Sequence, residues 1–184
     1  STDYNNQEIA SLPLIYSEIL IALNVQIKGG SFICKLFDIF HMKTIRLIYI
    51  LYMSYETITF HKPDVSRISN SEKYIICQGF KGFNKEFSNI LCHNFSTSNA
   101  LIDVPESFIN EIQHYNNLYV SQQIKSISVG IHMIENDIKQ TKQSYNNQIN
   151  KAIDWCYKYN ITINPSFRNK YNTVTKTKSV TRWR

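Results

Sequence analysis

The sequence predicts an α/β chain: the second half of an α/β sheet whose last strands pair as an antiparallel hairpin, followed by a helical region. Three observations predict this. Apolar residues recur at helical spacing from Glu8 to Gln26 and run into Gly29-Gly30. Short apolar runs follow at Ser31–Phe37, Glu56–Phe60 and Lys73–Gly79, separated by one helical stretch and one polar loop. Beyond Gly82 no second α/β unit is legible, and helical spacing takes over.

In the first helix Ile9, Leu12, Ile15, Ile19, Leu20 and Leu23 form the apolar stripe, with Ile27 just beyond it, and Lys28-Gly29-Gly30 stops it. Ser31–Phe37 is continuous and apolar around a single charge, Lys35, which predicts a strand buried on both faces of a parallel sheet. Residues 41–55 place Ile45, Ile48, Tyr49, Tyr52 and Met53 on one helical face, and Glu56–Phe60 alternates as a strand does. Lys62-Pro63 opens a polar loop, Ser66–Ser71, before the tyrosine- and isoleucine-rich strand Lys73–Gly79. Pro105 starts a helix to about Ile127, Gly130 breaks it, and Ile131, Ile134, Ile138, Tyr145, Ile149, Ile153 and Cys156 space out a long amphipathic helix ending near Asn160. This region reads as a helical layer over the sheet, its stripe being too irregular for a zipper.

At 184 residues with 43% apolar content the chain can bury a core. A net charge of +6 favours a polyanionic partner such as RNA. The tail from Arg168 to Arg184 holds six cations and no acid, interleaved with Tyr171 and Trp183, a pattern that suits phosphates and bases or simply a solvated terminus. Cys34, Cys77, Cys92 and Cys156 are too far apart in sequence for a metal-ligand motif, so no metal site is expected and reduced thiols in a reducing, intracellular compartment are. No membrane segment is expected, since Asp38, Lys43, Arg46 and Glu56 interrupt the richest apolar region. The first residues carry neither a targeting core nor an initiating methionine, which predicts a chain that begins inside a longer protein.

Lys35, after a glycine turn, stands at a strand end, where open α/β sheets place their reactive groups, and Glu72 begins the neighbouring strand. Glu72 reaches Lys35 if that strand runs antiparallel. The pair is suited to proton transfer, or else Lys35 snorkels outward and Glu72 merely neutralises it. Gly29-Gly30-Ser31-Phe32-Ile33-Cys34-Lys35-Leu36-Phe37-Asp38, then Lys62-Pro63, Ser66-Arg67 and Asn70-Ser71-Glu72-Lys73-Tyr74, resembles the FtsJ-like 2′-O-methyltransferase family over residues 7–82, especially the branch acting on capped mRNA.

The resemblance implies a Rossmann-like methyltransferase sheet, S-adenosyl-L-methionine as cofactor, capped mRNA as partner and a Lys-Asp-Lys-Glu tetrad. Lys35 is then the second lysine, the general base for a ribose hydroxyl, and Glu72 the glutamate. Ser66 and Arg67 belong to a loop that faces RNA, with Lys62, Asn70 and Ser71 as loop-shaping or RNA-facing neighbours. The family's first lysine, its glycine-rich turn and its ribose-binding acid have no match here, so the cofactor site and the remaining catalytic groups are expected upstream in the same protein; Asp3 fits the tetrad aspartate poorly. On this reading residues 1–82 are the C-terminal half of the methyltransferase domain, 83–167 a helical extension packed on the sheet, and 168–184 a basic tail. The usage rich in Asn, Ile, Lys and Tyr is similar to that of large cytoplasmic DNA viruses, implying host cytoplasm or virion. The other function class is a non-catalytic RNA-binding or scaffolding module derived from the same fold.

Overall fold

The computed structural model describes residues 6–94, 102–139 and 142–166; Asp3 and the basic tail lie outside them. The chain falls into two units, Ser1–His132 and Met133–Arg184. In the first, α1 (Gln7–Val25), β1 (Phe32–Leu36), α2 (Met42–Ser54), β2 (Tyr55–His61), β3 (Lys73–Phe80) and α3 (Lys85–Asn94) are followed by α4 (Glu106–Glu135), which continues into the second unit. The second unit contains α5 (Lys142–Lys158).

The three strands are ordered β1-β3-β2, with β3 antiparallel to both neighbours. The glycine turn docks onto the far end of β3: Gly29 N donates to Phe80 O at 2.7 Å and Phe80 N to Gly30 O at 2.9 Å. Gly29 has φ +81°, a conformation glycine adopts without steric cost, and it lets the chain leave α1 and enter β1 directly in register with β3.

One face of the sheet is covered and the other open. Cys34 and Leu36 of β1 pair with Ile75 and Lys73 of β3, and all four side chains are buried. Ile15, Ile19 and Leu23 of α1 join the same core as Ile45, Ile48 and Leu51 of α2, Leu91 of α3 and Ile112 of α4. On the opposite face Ile33 is 62% exposed and Lys35 is also exposed. The apolar run of β1 therefore does not lie in a parallel sheet buried on both sides; it is antiparallel to β3 and covered on one side, because helices pack against only alternate residues.

Fixed caps explain the helix limits. The Glu8 carboxylate accepts from Phe40 N, His41 N and Thr44 Oγ at 3.1, 2.9 and 2.6 Å, so an α1 side chain supplies acceptors at the start of α2. Helix α3, which periodicity did not reveal, is announced by Asn84, whose Oδ1 accepts from Glu86 N and Phe87 N. Gly130 does not break α4: an interior glycine costs only about 1 kcal/mol relative to alanine, and the helix runs on to Glu135. The stop comes at Asp137, with φ +48°, while Ile138 N donates back to Met133 O.

The expectation that no apolar stretch reaches membrane-spanning length needs correction. Among the described residues one helix, Gln7–Val25, is long and apolar enough by length and composition, since Glu8 and Glu18 are its only charges. Its Ile15, Tyr16, Ile19 and Leu23 are buried in the core described above, as in a core helix of a folded domain.

Candidate active site

The antiparallel register of β1 and β3 builds the site. Lys35 pairs with Tyr74, so Glu72, two residues earlier on the same strand line, lies on the diagonal of that pair and on the same open face. Lys35 Nζ stands 3.0 Å from Glu72 Oε1. Tyr74 OH donates to that same oxygen at 3.0 Å, while Ser66 Oγ and Asn70 Nδ2 reach Oε2 at 3.2 and 3.4 Å. Hydrogen bonding to Lys35, then to Tyr74, holds the Glu72 carboxyl below its ordinary value, and Glu72 in turn pushes the Tyr74 phenol up. The pair is partly solvated, with Lys35 48% and Glu72 24% exposed, and Lys35 also lies over the Phe37 ring.

Lys35 is thus not enclosed, contrary to its expected place at the end of a buried strand. The buried lysine is Lys73, which pairs with Leu36, the residue after Lys35, and lies on the covered face of the sheet. It is 3% exposed, it donates to Phe37 O at 2.7 Å, and desolvation lowers its pKa to about 8. Burial also raises the Asp38 carboxyl, against the opposing influence of Lys73. Residues of α4 cover this end of the sheet: the Tyr119 ring lies 5.9 Å from Lys73 Nζ, and Asn116 Nδ2 donates to Ile39 O at 2.9 Å.

Of the loop residues singled out by sequence, Ser66, Asn70 and Lys62 converge on Glu72. Lys62 Nζ donates to Asn70 O, Asn70 Oδ1 and Glu72 O. Ser71 borders a recess with Asp38 and Lys73 instead, and acts to lower the Asp38 carboxyl against the effect of burial. Arg67 is exposed on the same loop. Sequence reasoning missed two members, Tyr74 and Lys73. Tyr74 could have been found by the period of two from Glu72, whereas nothing in the pattern marks Lys73 as buried.

These contacts join a half-exposed lysine to an anchored carboxylate on an open face, beside a loop that carries an exposed arginine. Residues 1–80 match the FtsJ-like methyltransferase family. The match contains β1, β3 and every residue of the Lys35–Glu72 cluster, and the small antiparallel sheet with its helices is consistent with part of an FtsJ-like fold. The chain is similar to "Cap-specific mRNA (nucleoside-2′-O-)-methyltransferase 1" of Caenorhabditis elegans, 41% identical over 99 residues, covering 54% of this chain and 10% of that protein. It is similar to the Bos taurus protein of the same name, 47% identical over 77 residues, 42% of this chain and 9% of the relative. A Caenorhabditis briggsae relative named "Inactive cap-specific mRNA (nucleoside-2′-O-)-methyltransferase 1B" is 42% identical over 77 residues, again 42% of this chain and 9% of its own. The matched region spans about a tenth of the length of these curated relatives.

FtsJ-like methyltransferases generally use S-adenosylmethionine, and among the described residues neither the glycine turn nor the recess beside Lys73 fits it. The amide of Gly29 and the carbonyl of Gly30 are committed to β3, so this turn offers no cradle for a bound nucleoside or carboxylate. The recess bordered by Asp38, Lys62, Ser71, Lys73 and Tyr119 has room for about one water-sized molecule. Among the described residues there is no group of three or more histidine, cysteine or acidic side chains placed to hold a metal ion.

Proposed function

We propose that this chain is a portion of an S-adenosylmethionine-dependent ribose 2′-O-methyltransferase acting on capped mRNA, and that it contributes the acceptor side of the active site. The observation that carries this reading is the 3.0 Å approach of Lys35 to Glu72 inside the segment that matches the family. S-adenosylmethionine supplies the methyl group in such chemistry, and its binding residues are assigned to a part of the protein outside residues 1–184. The free edge of β1, which pairs only with β3 among the described strands, supports this division.

Within this reading Lys35 Nζ accepts the proton of the ribose hydroxyl, and Glu72 fixes where that nitrogen stands. Tyr74, Ser66 and Asn70 hold the carboxylate, so it cannot swing away when the substrate arrives. Arg67, exposed beside them, is placed to meet a phosphate of the RNA. The four cysteines are free, which supports a reducing compartment.

The test is methyl transfer to capped RNA by the complete protein carrying Lys35→Met. Activity should fall by about 100-fold or more, the loss expected for a removed general base; an unchanged rate refutes the catalytic assignment. A second reading, a non-catalytic RNA-binding module, is favoured by the similarity to a relative named inactive and by the exposure of Lys35. It predicts capped-RNA binding without any transfer.

A further inference from the structure

The loop that carries Ser66, Asn70 and Glu72 spans residues 62–72, between the end of β2 and the start of β3, and has no regular structure of its own. Its shape is set from one end. An ammonium has three N–H donors and no acceptor. Lys62 Nζ finds three acceptors on this loop: Asn70 O at 2.8 Å, Asn70 Oδ1 at 2.8 Å and Glu72 O at 2.7 Å. We propose that Lys62 is a positioning residue, a clamp that closes the loop and aims the Glu72 carboxylate at Lys35, and that it does not contact RNA.

The geometry supports both halves. The Glu72 backbone carbonyl is held from behind by Lys62 while its side chain projects forward to Lys35, so one residue is fixed at both ends. Asn70, oriented by the same ammonium, then reaches Glu72 Oε2 through Nδ2. With every donor satisfied inside the protein, Lys62 has none to offer a phosphate unless the loop opens. Its pKa is lowered by burial, as expected of a group turned inward. Arg67, by contrast, is exposed on the same loop. The loop thus separates its two cations, one holding the shape and one left for a ligand.

This inference rests on the proposed acceptor site but is tested apart from it. In the 184-residue chain, Lys62→Met keeps the length of the side chain and removes the donors. The Glu72 carboxyl, titrated by NMR on labelled glutamate, should move up toward the ordinary carboxylate value in the variant. Amide exchange at Ser66–Glu72 should accelerate, while exchange in α1 and α2 stays unchanged and shows that the fold persists. A Glu72 titration unaltered by Lys62→Met overturns the clamp. Asn70→Ala, which removes only one acceptor, should give a smaller upward shift; no shift there, with a full shift in Lys62→Met, leaves the clamp resting on the Glu72 carbonyl.

The RNA half is read in the complete protein with capped RNA at several salt concentrations. Lys62→Met should leave the slope of log affinity against log salt unchanged, whereas Arg67→Gln should reduce it by about one. A reduced slope for Lys62→Met overturns the claim that it avoids RNA. If the wild-type protein binds no RNA, the proposed function fails while the Glu72 titration still decides the clamp. In the active protein, Lys62→Met should lower kcat by about 100-fold, the scale of a small misplacement, with little change in KM.

Discussion

Replacing Lys73 with methionine should remove a rise in stability between neutral and alkaline pH. The side chain is 3% exposed, and desolvation lowers its pKa from 10.5 to about 8 in the folded protein, with Asp38, Lys62 and Glu8 as its charged neighbours. Below pH 8 both folded and unfolded chains carry the proton, and the folded state bears the cost of a buried ammonium. From about 8 to 10.5 the unfolded chain keeps the proton and the folded chain does not, so the unfolded state binds more protons and stability increases with pH. The two pKa values correspond to about 3 kcal/mol in full, of which about 2.5 kcal/mol is gained between pH 7 and pH 10. Lys73→Met lacks this increment. At pH 7 the methionine relieves the ammonium's burial but leaves Phe37 O without its 2.7 Å donor, a loss of about 1–3 kcal/mol, so the two effects largely offset. The assay is urea unfolding of both proteins at pH 7 and pH 10. Tyr16 and Cys77, both raised to about 12 by burial, act in the opposite sense in both proteins and cancel in the comparison. Equal pH dependence of the two unfolding free energies would falsify the assignment of Lys73 as a buried, proton-losing amine.

Glu72→Gln should change unfolding free energy by less than about 1 kcal/mol at pH 7, because the ion pair is partly solvated, yet lower methyl transfer in the complete protein. The sign with pH is that of a depressed carboxyl: the pair's contribution is present above the unfolded pKa and is lost as pH falls through the folded one, so wild type and variant should converge in stability toward acid. Tyr16→Phe removes the buried 2.7 Å bond to Leu91 O that ties α1 to α3, and should cost about 1–2 kcal/mol in urea unfolding while accelerating amide exchange in α3.

The elements legible in the sequence are those whose limits are set locally. Gly29-Gly30 and Lys62-Pro63 punctuate α1, β1 and β2, and the strand run at Lys73–Gly79 agrees with β3 to within one residue. The Lys35–Glu72 approach was legible as a conditional, since only an antiparallel β3 places Glu72 diagonally from Lys35, and that is the observed register. What escaped detection depends on distant chain. Ile33 and Ile75 look alike in sequence, but one lies on the open face and the other under the helices. Lys73 follows a glutamate in a polar context and reads as solvated; it is buried because α4 brings Asn116 and Tyr119 over that end of the sheet. Gly130 misled for the converse reason, since a single interior glycine weakens a helix without ending it.

Three lysines lie at this end of the sheet, and the acceptors within reach decide what each can do. Lys73 is buried and bonded to Phe37 O, which secures the chain two residues beyond Lys35. Lys62 spends its donors on Asn70 and Glu72. Lys35 alone of the three keeps half its side chain in solvent, so it is the amine that an incoming hydroxyl can meet. To accept a proton an amine must first lose one, which burial or a second cation promotes and a lone carboxylate does not. In the proposed function, burial on the open face of the sheet comes from what binds there, the substrate and the segment proposed to hold the methyl donor. In the proposed enzyme, substrate binding and activation of the base are then one event.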